Sequence, residues 1–231
     1  MDYQVVIPAA GSGKRMGAGQ NKLFLSLSGL PIIVRTLLVF EQDPWCKGIV
    51  LVVKEEEQEW FNEQLTRNKI KKVLSFAAGG NERQQSVHNG LKKVREDIVL
   101  IHDGARPFVD QADIHRVVLA ANEFKASVLA VPVKDTIKKV DQFKVIETVE
   151  RQSLWAMQTP QAFHLPLILS AYDYGTTISK LATDDAELVE WLGETVHIVE
   201  GNYRNIKMTT AEDLIIGERL LSWEEERKLN R

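Results

Sequence analysis

Val5-Val6-Ile7-Pro8-Ala9-Ala10-Gly11-Ser12-Gly13-Lys14-Arg15-Met16-Gly17 is an apolar strand that runs straight into a loop of small residues, with Asn21-Lys22-Leu23-Phe24 close behind. Three cations, Lys14, Arg15 and Lys22, stand in or just after that loop. Gly11 and Gly13 let the backbone turn sharply and bring its N–H groups near an anion. The cations add charge-assisted bonds that a neutral ligand would not need. A glycine-rich turn by itself reads equally well as a tight strand-to-helix connection; the density of cations favours a polyphosphate. Two better-known phosphate loops do not fit. The dinucleotide fingerprint wants a third glycine where Met16 stands, and Glu55, near the place of its ribose partner, belongs to a solvated Glu55-Glu56-Glu57 run. The P-loop of hydrolases wants a glycine five positions after Gly11, again Met16.

Outward from this loop, strands and helices alternate. Tyr3–Pro8 reads as a buried strand, and Pro31 opens a helix at the favoured first-turn position, with Ile33, Leu37 and Phe40 on one face. Residues 48–54 form a near-continuous apolar strand of the kind that is covered on both faces. A helix over 56–67, a strand over 72–77, a helix over 82–94, a strand over 97–102, a helix over 112–124 and a strand over 126–133 follow. This repetition predicts a mostly parallel, three-layer α/β/α sheet. Ligands of such sheets bind beyond the carboxyl ends of the strands, where the glycine loop, Gly79-Gly80, Asp103 and Lys134-Asp135 all fall. The alternation breaks over 134–155. Residues 136–140 and 145–150 are β-rich around a polar turn at Asp141-Gln142 and predict a protruding hairpin arm. An isolated hairpin is marginal in water, so this one is expected to pair with the sheet edge or with a second subunit. Helices over 165–174 and 184–191, a strand over 196–200 and a helix over 211–226 complete the chain.

Composition sets the bounds. A chain of 231 residues suits one α/β domain, or at most two small ones. A net charge of −3 without a long basic block argues against a nucleic-acid surface. The lone Cys46 excludes an internal disulfide and a cysteine-rich zinc site, and fits a reducing cytoplasm. No apolar run approaches the ~18 residues of a membrane span, and a strand beginning at Tyr3 leaves no room for a signal peptide.

Further clusters carry chemistry. In Gly79-Gly80-Asn81-Glu82-Arg83-Gln84-Gln85-Ser86 two glycines open a helix whose amides favour an anion or a polar base edge; alone it reads as a plain loop, beside the first loop as part of a nucleotide site. In Ile101-His102-Asp103-Gly104-Ala105-Arg106-Pro107, Asp103 at a strand's carboxyl end is placed to hold Mg²⁺ between phosphates, and Arg106 to grip a second phosphorylated group bidentately. The plain alternative is a turn with an ion pair. His102 is expected beneath the loop rather than as a general base. Asp135-Thr136, Arg151, Thr159-Pro160-Gln161, Thr183-Asp184-Asp185 and Asn205-Ile206-Lys207 are individually weak; on residue type alone Thr183 reads as a helix cap and Lys207 as surface charge.

Taken in order, these segments resemble the 2-C-methyl-D-erythritol 4-phosphate cytidylyltransferases, enzymes of the non-mevalonate isoprenoid pathway. The likeness rests on residues 8–16, 21–24, 79–86, 102–107, 131–137, 150–155, 158–163, 183–186 and 205–209, nearly the whole chain. It implies a Rossmann-like nucleotidyltransferase fold over residues 1–231 as a single domain, with a dimerisation arm at about 134–155 exchanged between two copies. It implies that an oxygen of methylerythritol phosphate attacks the α-phosphorus of CTP and that pyrophosphate leaves. Arg15, Lys22 and Lys207 would stabilise charge on the α-phosphate, with Pro8, Ala9, Ala10, Gly11, Gly13, Gly80, Asn81 and Ser86 around the nucleotide. Asp103 would hold Mg²⁺ and approach the sugar phosphate, which Arg106, Thr136, Thr159, Thr183 and Arg151 of the partner subunit would bind. Ribitol-5-phosphate cytidylyltransferases share the fold, the CTP loop and Asp-Gly-x-Arg-Pro; residues 131–136 and 150–155 favour the methylerythritol enzyme. Asn81 departs from the pattern, since family members often carry aspartate there: a backbone contact to cytosine survives, a carboxylate role does not.

Overall fold

The structure is a computed structural model that describes residues 1–11 and 21–229. The chain opens with β1 (Tyr3–Pro8), a small hairpin of β2 (Ser26–Leu27) and β3 (Leu30–Pro31), and α1 (Ile32–Gln42). Then come β4 (Cys46–Val53), α2 (Gln58–Arg67), β5 (Val73–Ala78), α3 (Arg83–Leu91), β6 (Ile98–Ile101), α4 (Gln111–Phe124) and β7 (Ala126–Pro132). The second half has β8 (Lys138–Asp141), β9 (Lys144–Thr148), β10 (Trp155–His164), α5 (Leu165–Thr177), α6 (Asp185–Glu190), β11 (His197–Glu200) and α7 (Ala211–Leu229).

Seven strands form the main sheet in the order β11-β7-β10-β6-β1-β4-β5. Every neighbouring pair is parallel except those of β10, which runs antiparallel to both β6 and β7. Because side chains alternate across a strand, β1 sends Tyr3, Val5 and Ile7 into one apolar layer and Val6 into the other. The first layer packs against α1, α2, α4 and α7; the second against α3, α5 and α6. Helices on both faces explain why the central strands read as continuous apolar runs. The expected α/β/α sandwich is therefore present.

Three details differ from the sequence reading. Pro31 does not occupy the first turn of α1: it is the extended residue before Ile32 and closes the β2–β3 hairpin. β10 has no counterpart in the expected elements, because Gln158, Thr159, Pro160 and Gln161 read against a central strand. The strand accommodates them by a register break between Met157 and Gln161 in its pairing with β7. Among the described residues the arm joins no sheet edge: β8 and β9 pair with each other in a two-stranded sheet. Its apolar side chains Ile137, Val140, Phe143, Val145 and Ile146 are all exposed. Cys46 is a buried free thiol whose pKa burial pushes up to about 12.

The layers meet tightly where α3 crosses β1 and β4. A Cβ added at Gly90 would lie 2.5 Å from Val6 Cγ1 and 2.9 Å from Val52 Cγ2. Alanine normally gains about 0.5–1 kcal/mol over glycine in a helix, but overpacking costs about 1–3 kcal/mol. Gly90→Ala is accordingly expected to destabilise the chain by about 1–2 kcal/mol in urea unfolding; a gain in stability would contradict this packing.

Candidate active site

Beyond the carboxyl ends of β1, β5 and β6 lies a cavity of about 490 Å³. Pro8, Ala10 and Gly11 line it from the end of β1, and Gly80, Asn81 and Ser86 from the turn into α3. Lys22, Asp103 and Lys207 complete the expected residues on its wall. Ala9 lies just beneath, 1% exposed, its N–H donating to Val52 O at 2.7 Å. The β1 and β5 ends can approach because Gly79 lacks a side chain: a Cβ there would come 2.5 Å from Ala10 Cβ. Gly13 and Arg15 fall outside the described residues.

Lys22 is carried by a clamped segment. Asn21 is buried; its Nδ2 donates to Ala9 O at 2.7 Å and reaches Glu57 Oε1 at 3.3 Å. Its Oδ1 accepts the Leu23 N–H at 3.2 Å, capping the 3-10 turn over Lys22–Phe24. The opposite wall caps itself. Gly80 N donates to Ser86 Oγ at 2.9 Å, and Asn81 N to Gln85 Oε1 at 2.9 Å. A ligand acceptor arriving at either amide exchanges one hydrogen bond for another rather than filling an orphan.

Asp103 is the electrostatic centre. Its residue is 8% exposed, and three cations surround the carboxylate. Lys207 Nζ lies 2.6 Å from Oδ2, Arg83 Nε 3.5 Å from Oδ1 and Arg106 Nε 3.9 Å from Oδ2. Burial pushes the carboxyl pKa up, but Arg83, Lys207 and Arg106 outweigh it and hold the group well below the ordinary carboxylate range. The backbone is fixed from behind: Asp103 N donates to Thr159 Oγ1 at 3.0 Å, and Thr159 Oγ1 lies 3.2 Å from His102 Nδ1. His102 Nε2 is 3.0 Å from Arg106 O, which can only accept. That partner assigns the proton to Nε2 and leaves Nδ1 to receive the threonine hydroxyl. Burial lowers the His102 pKa to about 4, so the ring stays neutral. As expected, it supports the loop from below.

The remaining expected residues fall elsewhere. Arg106 Nη1 donates to Asn205 O at 2.6 Å, so part of its fork is already spent on the protein. Thr183 donates its hydroxyl to Glu187 Oε2 at 2.9 Å, beside Asp184, the N-cap of α6. Thr136 and Arg151 belong to the exposed arm and its base; Arg151 Nη1 donates to Lys134 O. None of these, nor Thr159, lines the cavity just described. Lys207, by contrast, is no mere surface charge, since its ion pair with Asp103 is part of the site.

Several partners were not legible as functional. Arg83 donates from Nη1 and Nη2 to Asp185 at 2.9 and 2.7 Å. Gln161 ties β10 to α6 through Asp184 Oδ2 and the Ala186 N–H. Lys54 and Glu82 also line the cavity. Arg83 and Asp185 sit inside motifs flagged by sequence, but about one hundred positions separate them (|i−j| = 102) and no local pattern announces the pair. Among the described residues no group of three or more His, Cys, Asp or Glu could enclose a metal. A magnesium-type ion needs less than that: one or two carboxylates, with water and substrate phosphate oxygens filling its shell. Asp103, ionised and facing the cavity, fits that demand.

Comparisons with known proteins point to one family. The family model of 2-C-methyl-D-erythritol 4-phosphate cytidylyltransferase matches residues 3–222. A protein of that name from Halalkalibacterium halodurans is 54% identical over 228 residues, covering 98% of this chain and 100% of its own. One from Lysinibacillus sphaericus is 54% identical over 222 residues, 96% of each chain. Among solved structures, the 4-diphosphocytidyl-2C-methyl-D-erythritol synthase of Anaerococcus prevotii superposes with a TM-score of 0.84 at 30% identity, covering 96% of this chain and 98% of that one. The Thermus thermophilus 2-C-methyl-D-erythritol 4-phosphate cytidylyltransferase gives 0.80 at 32%, covering 95% and 98%.

The Thr159 hydroxyl links Asp103 to His102 in a buried position, so Thr159→Val leaves a donor and an acceptor without a partner. The expected loss is about 1–3 kcal/mol in denaturant unfolding; a loss under about 0.5 kcal/mol, the scale of a neutral surface change, would show the link to be incidental.

Proposed function

We propose a division of labour for the site on one premise: the chain belongs to the 2-C-methyl-D-erythritol 4-phosphate cytidylyltransferase family. It is a nucleotidyltransferase that moves CMP from CTP to 2-C-methyl-D-erythritol 4-phosphate, giving 4-diphosphocytidyl-2-C-methyl-D-erythritol and pyrophosphate. The ribitol-5-phosphate alternative is not favoured by these relatives. The observation that carries the residue roles is the meeting of Lys22, Lys207 and Asp103 on one cavity at the strand ends.

The nucleophile, a phosphate monoester oxygen, is already anionic, and the triphosphate it approaches is more so. The reaction therefore needs positioned cations more than a strong base. Lys22 and Lys207, with Arg15, receive the charge that builds on the α-phosphate as the new P–O bond forms and pyrophosphate departs. Pro8, Ala9, Ala10, Gly11, Gly13, Gly80, Asn81 and Ser86 surround the nucleotide, with the backbone of residues 80–81 offered to its base. Asp103 would hold Mg²⁺, which when bound would supply further neutralisation of phosphate charge. Arg106, Thr136, Thr159, Thr183 and Arg151 of the partner subunit bind the methylerythritol phosphate. Thr159 has a restricted part in this set. Its hydroxyl gives its proton to His102 and accepts from Asp103, so one acceptor lone pair remains. It can meet a substrate hydroxyl but not the phosphate.

The arm at about 134–155 supports exchange between two copies, because a two-stranded ribbon bearing exposed Val140, Phe143, Val145 and Ile146 gains stability from a covering surface. Residues 1–231 are proposed as a single nucleotidyltransferase domain that includes this arm. The buried free Cys46 and the lack, among the described residues, of a helix long and apolar enough to cross a membrane support a cytoplasmic location.

Pyrophosphate release from CTP with methylerythritol phosphate, dependent on Mg²⁺, is the direct assay; release with ribitol phosphate alone would overturn the reading. In the same assay Lys22→Ala is expected to lose about 10²–10³ in turnover with its unfolding transition unchanged, and undiminished turnover would remove its catalytic role. By sedimentation velocity the chain is expected to be a dimer, and the pair Val145→Asp and Ile146→Asp to make it a monomer that has lost most of its turnover. A monomeric parent of full activity would refute arm exchange.

A further inference from the structure

The cations around Asp103 are held in different ways. Arg83 Nη1 donates to Asp185 Oδ1 at 2.9 Å and Nη2 to Oδ2 at 2.7 Å, a two-bond fork. The Asp185 side chain is 0% exposed, and its Oδ1 also accepts the hydroxyl of Tyr172. Tyr172 is itself buried in the apolar layer of α5 and α6. Gln161 holds the start of α6 through the Ala186 N–H, so the backbone that carries Asp185 is tied to β10. A guanidinium is planar, and fixing both terminal nitrogens fixes the direction of the third. That third nitrogen, Nε, faces Asp103 Oδ1 at 3.5 Å.

Lys207 meets the other oxygen, Oδ2, at 2.6 Å, from a side chain that is 39% exposed and carries its charge on a flexible stem. Of the three cations around Asp103, Arg83 is set by a fork to a buried carboxylate, Arg106 stands farthest off at 3.9 Å, and Lys207 is able to swing. Arg83 and Lys207 are about equally exposed, 36% and 39%, so the fork and not burial sets them apart.

We infer that Asp185, backed by Tyr172, is a positioning residue: by gripping both terminal nitrogens of Arg83 it makes Arg83 the fixed counter-charge of Asp103 and leaves Lys207 the movable one. The inference rests on the role given above to Lys207. Taking Lys207 from Asp103 to a phosphate would strand a nearly enclosed carboxylate if no other cation stayed behind, and an unpaired buried charge is costly. Arg83 stays behind. The same fork prevents Arg83 from turning toward the triphosphate itself. Loss of the fork frees the guanidinium to compete for both oxygens of Asp103 or for the nucleotide.

The test compares the parent, Arg83→Lys, Asp185→Asn and the double variant in the pyrophosphate assay, each well below its own melting temperature and normalised to active sites. Absence of release by the parent would refute the transfer reading itself; the rest concerns only the fork. Each single variant is expected to lose roughly 10- to 100-fold in kcat, the cost of about an ångström of misplacement. KM for CTP is expected to stay within about threefold, since interactions made only in the transition state act on kcat. The double variant is expected to be no worse than the poorer single one, because the two residues form one unit. A lowered melting temperature with unchanged kcat, a rise in KM without loss of kcat, or losses that multiply would each overturn the inference. If Asp185→Asn does not fold, Arg83→Lys decides: its charge remains and its fork does not, so an undiminished kcat would overturn the proposal.

Discussion

A carboxylate that is nearly closed off from water stays ionised only if cations stand beside it, and the site is organised around meeting that condition at Asp103. The strand β6 delivers Asp103 to the sheet's carboxyl edge, and distant segments then supply its neighbours. Arg83 comes from the first turn of α3, Lys207 from the loop before α7 and Thr159 from the register break in β10. The loop carrying Lys207 is tied to the Asp103 turn through Met208 N and Ala105 O at 2.8 Å, and through Asn205 Nδ2 and Thr159 O at 2.8 Å. Tertiary contacts, not local chain geometry, place the charges. The same three cations that keep Asp103 charged also make the cavity attractive to a polyphosphate, so one electrostatic arrangement serves folding and binding together.

The antiparallel strand β10 is what lets this arrangement close. Set between β6 and β7, it pairs Gln161 with Ile101 and then breaks register, so that Gln158, Thr159 and Pro160 pass over the end of β6. A parallel strand in that slot would bring its carboxyl end there instead. The Thr159–Pro160 peptide bond is cis in this segment. From there the Thr159 hydroxyl reaches Asp103 N, and its carbonyl receives Asn205, which joins the three loops around the carboxylate.

Much of this was legible in the residues. The continuous apolar runs over 3–8 and 48–54 gave the buried parallel strands, because only a sheet covered on both faces tolerates them. The clustering of Gly11, Gly80 and Asp103 at strand ends gave the location of the cavity. What could not be read follows from range. Lys207 looked like surface charge because its partner lies about one hundred positions away, and Arg83 and Asp185 are separated by a similar distance (|i−j| = 102). β10 was hidden by Pro160 and its three polar neighbours, Gln158, Thr159 and Gln161, of which only Gln161 pairs in the ladder. The arm was read as a hairpin from its β-branched residues, but no pattern within one chain says what covers it.

The central claim is that Lys207 and Arg83 part company when substrate arrives. A crystal structure of the chain with CTP and a divalent cation tests it most directly. The account predicts that Lys207 Nζ leaves its 2.6 Å contact with Asp103 for an oxygen of the α-phosphate, while Arg83 keeps both bonds to Asp185. A complex in which Lys207 remains on Asp103 and Arg83 turns to the triphosphate would contradict it.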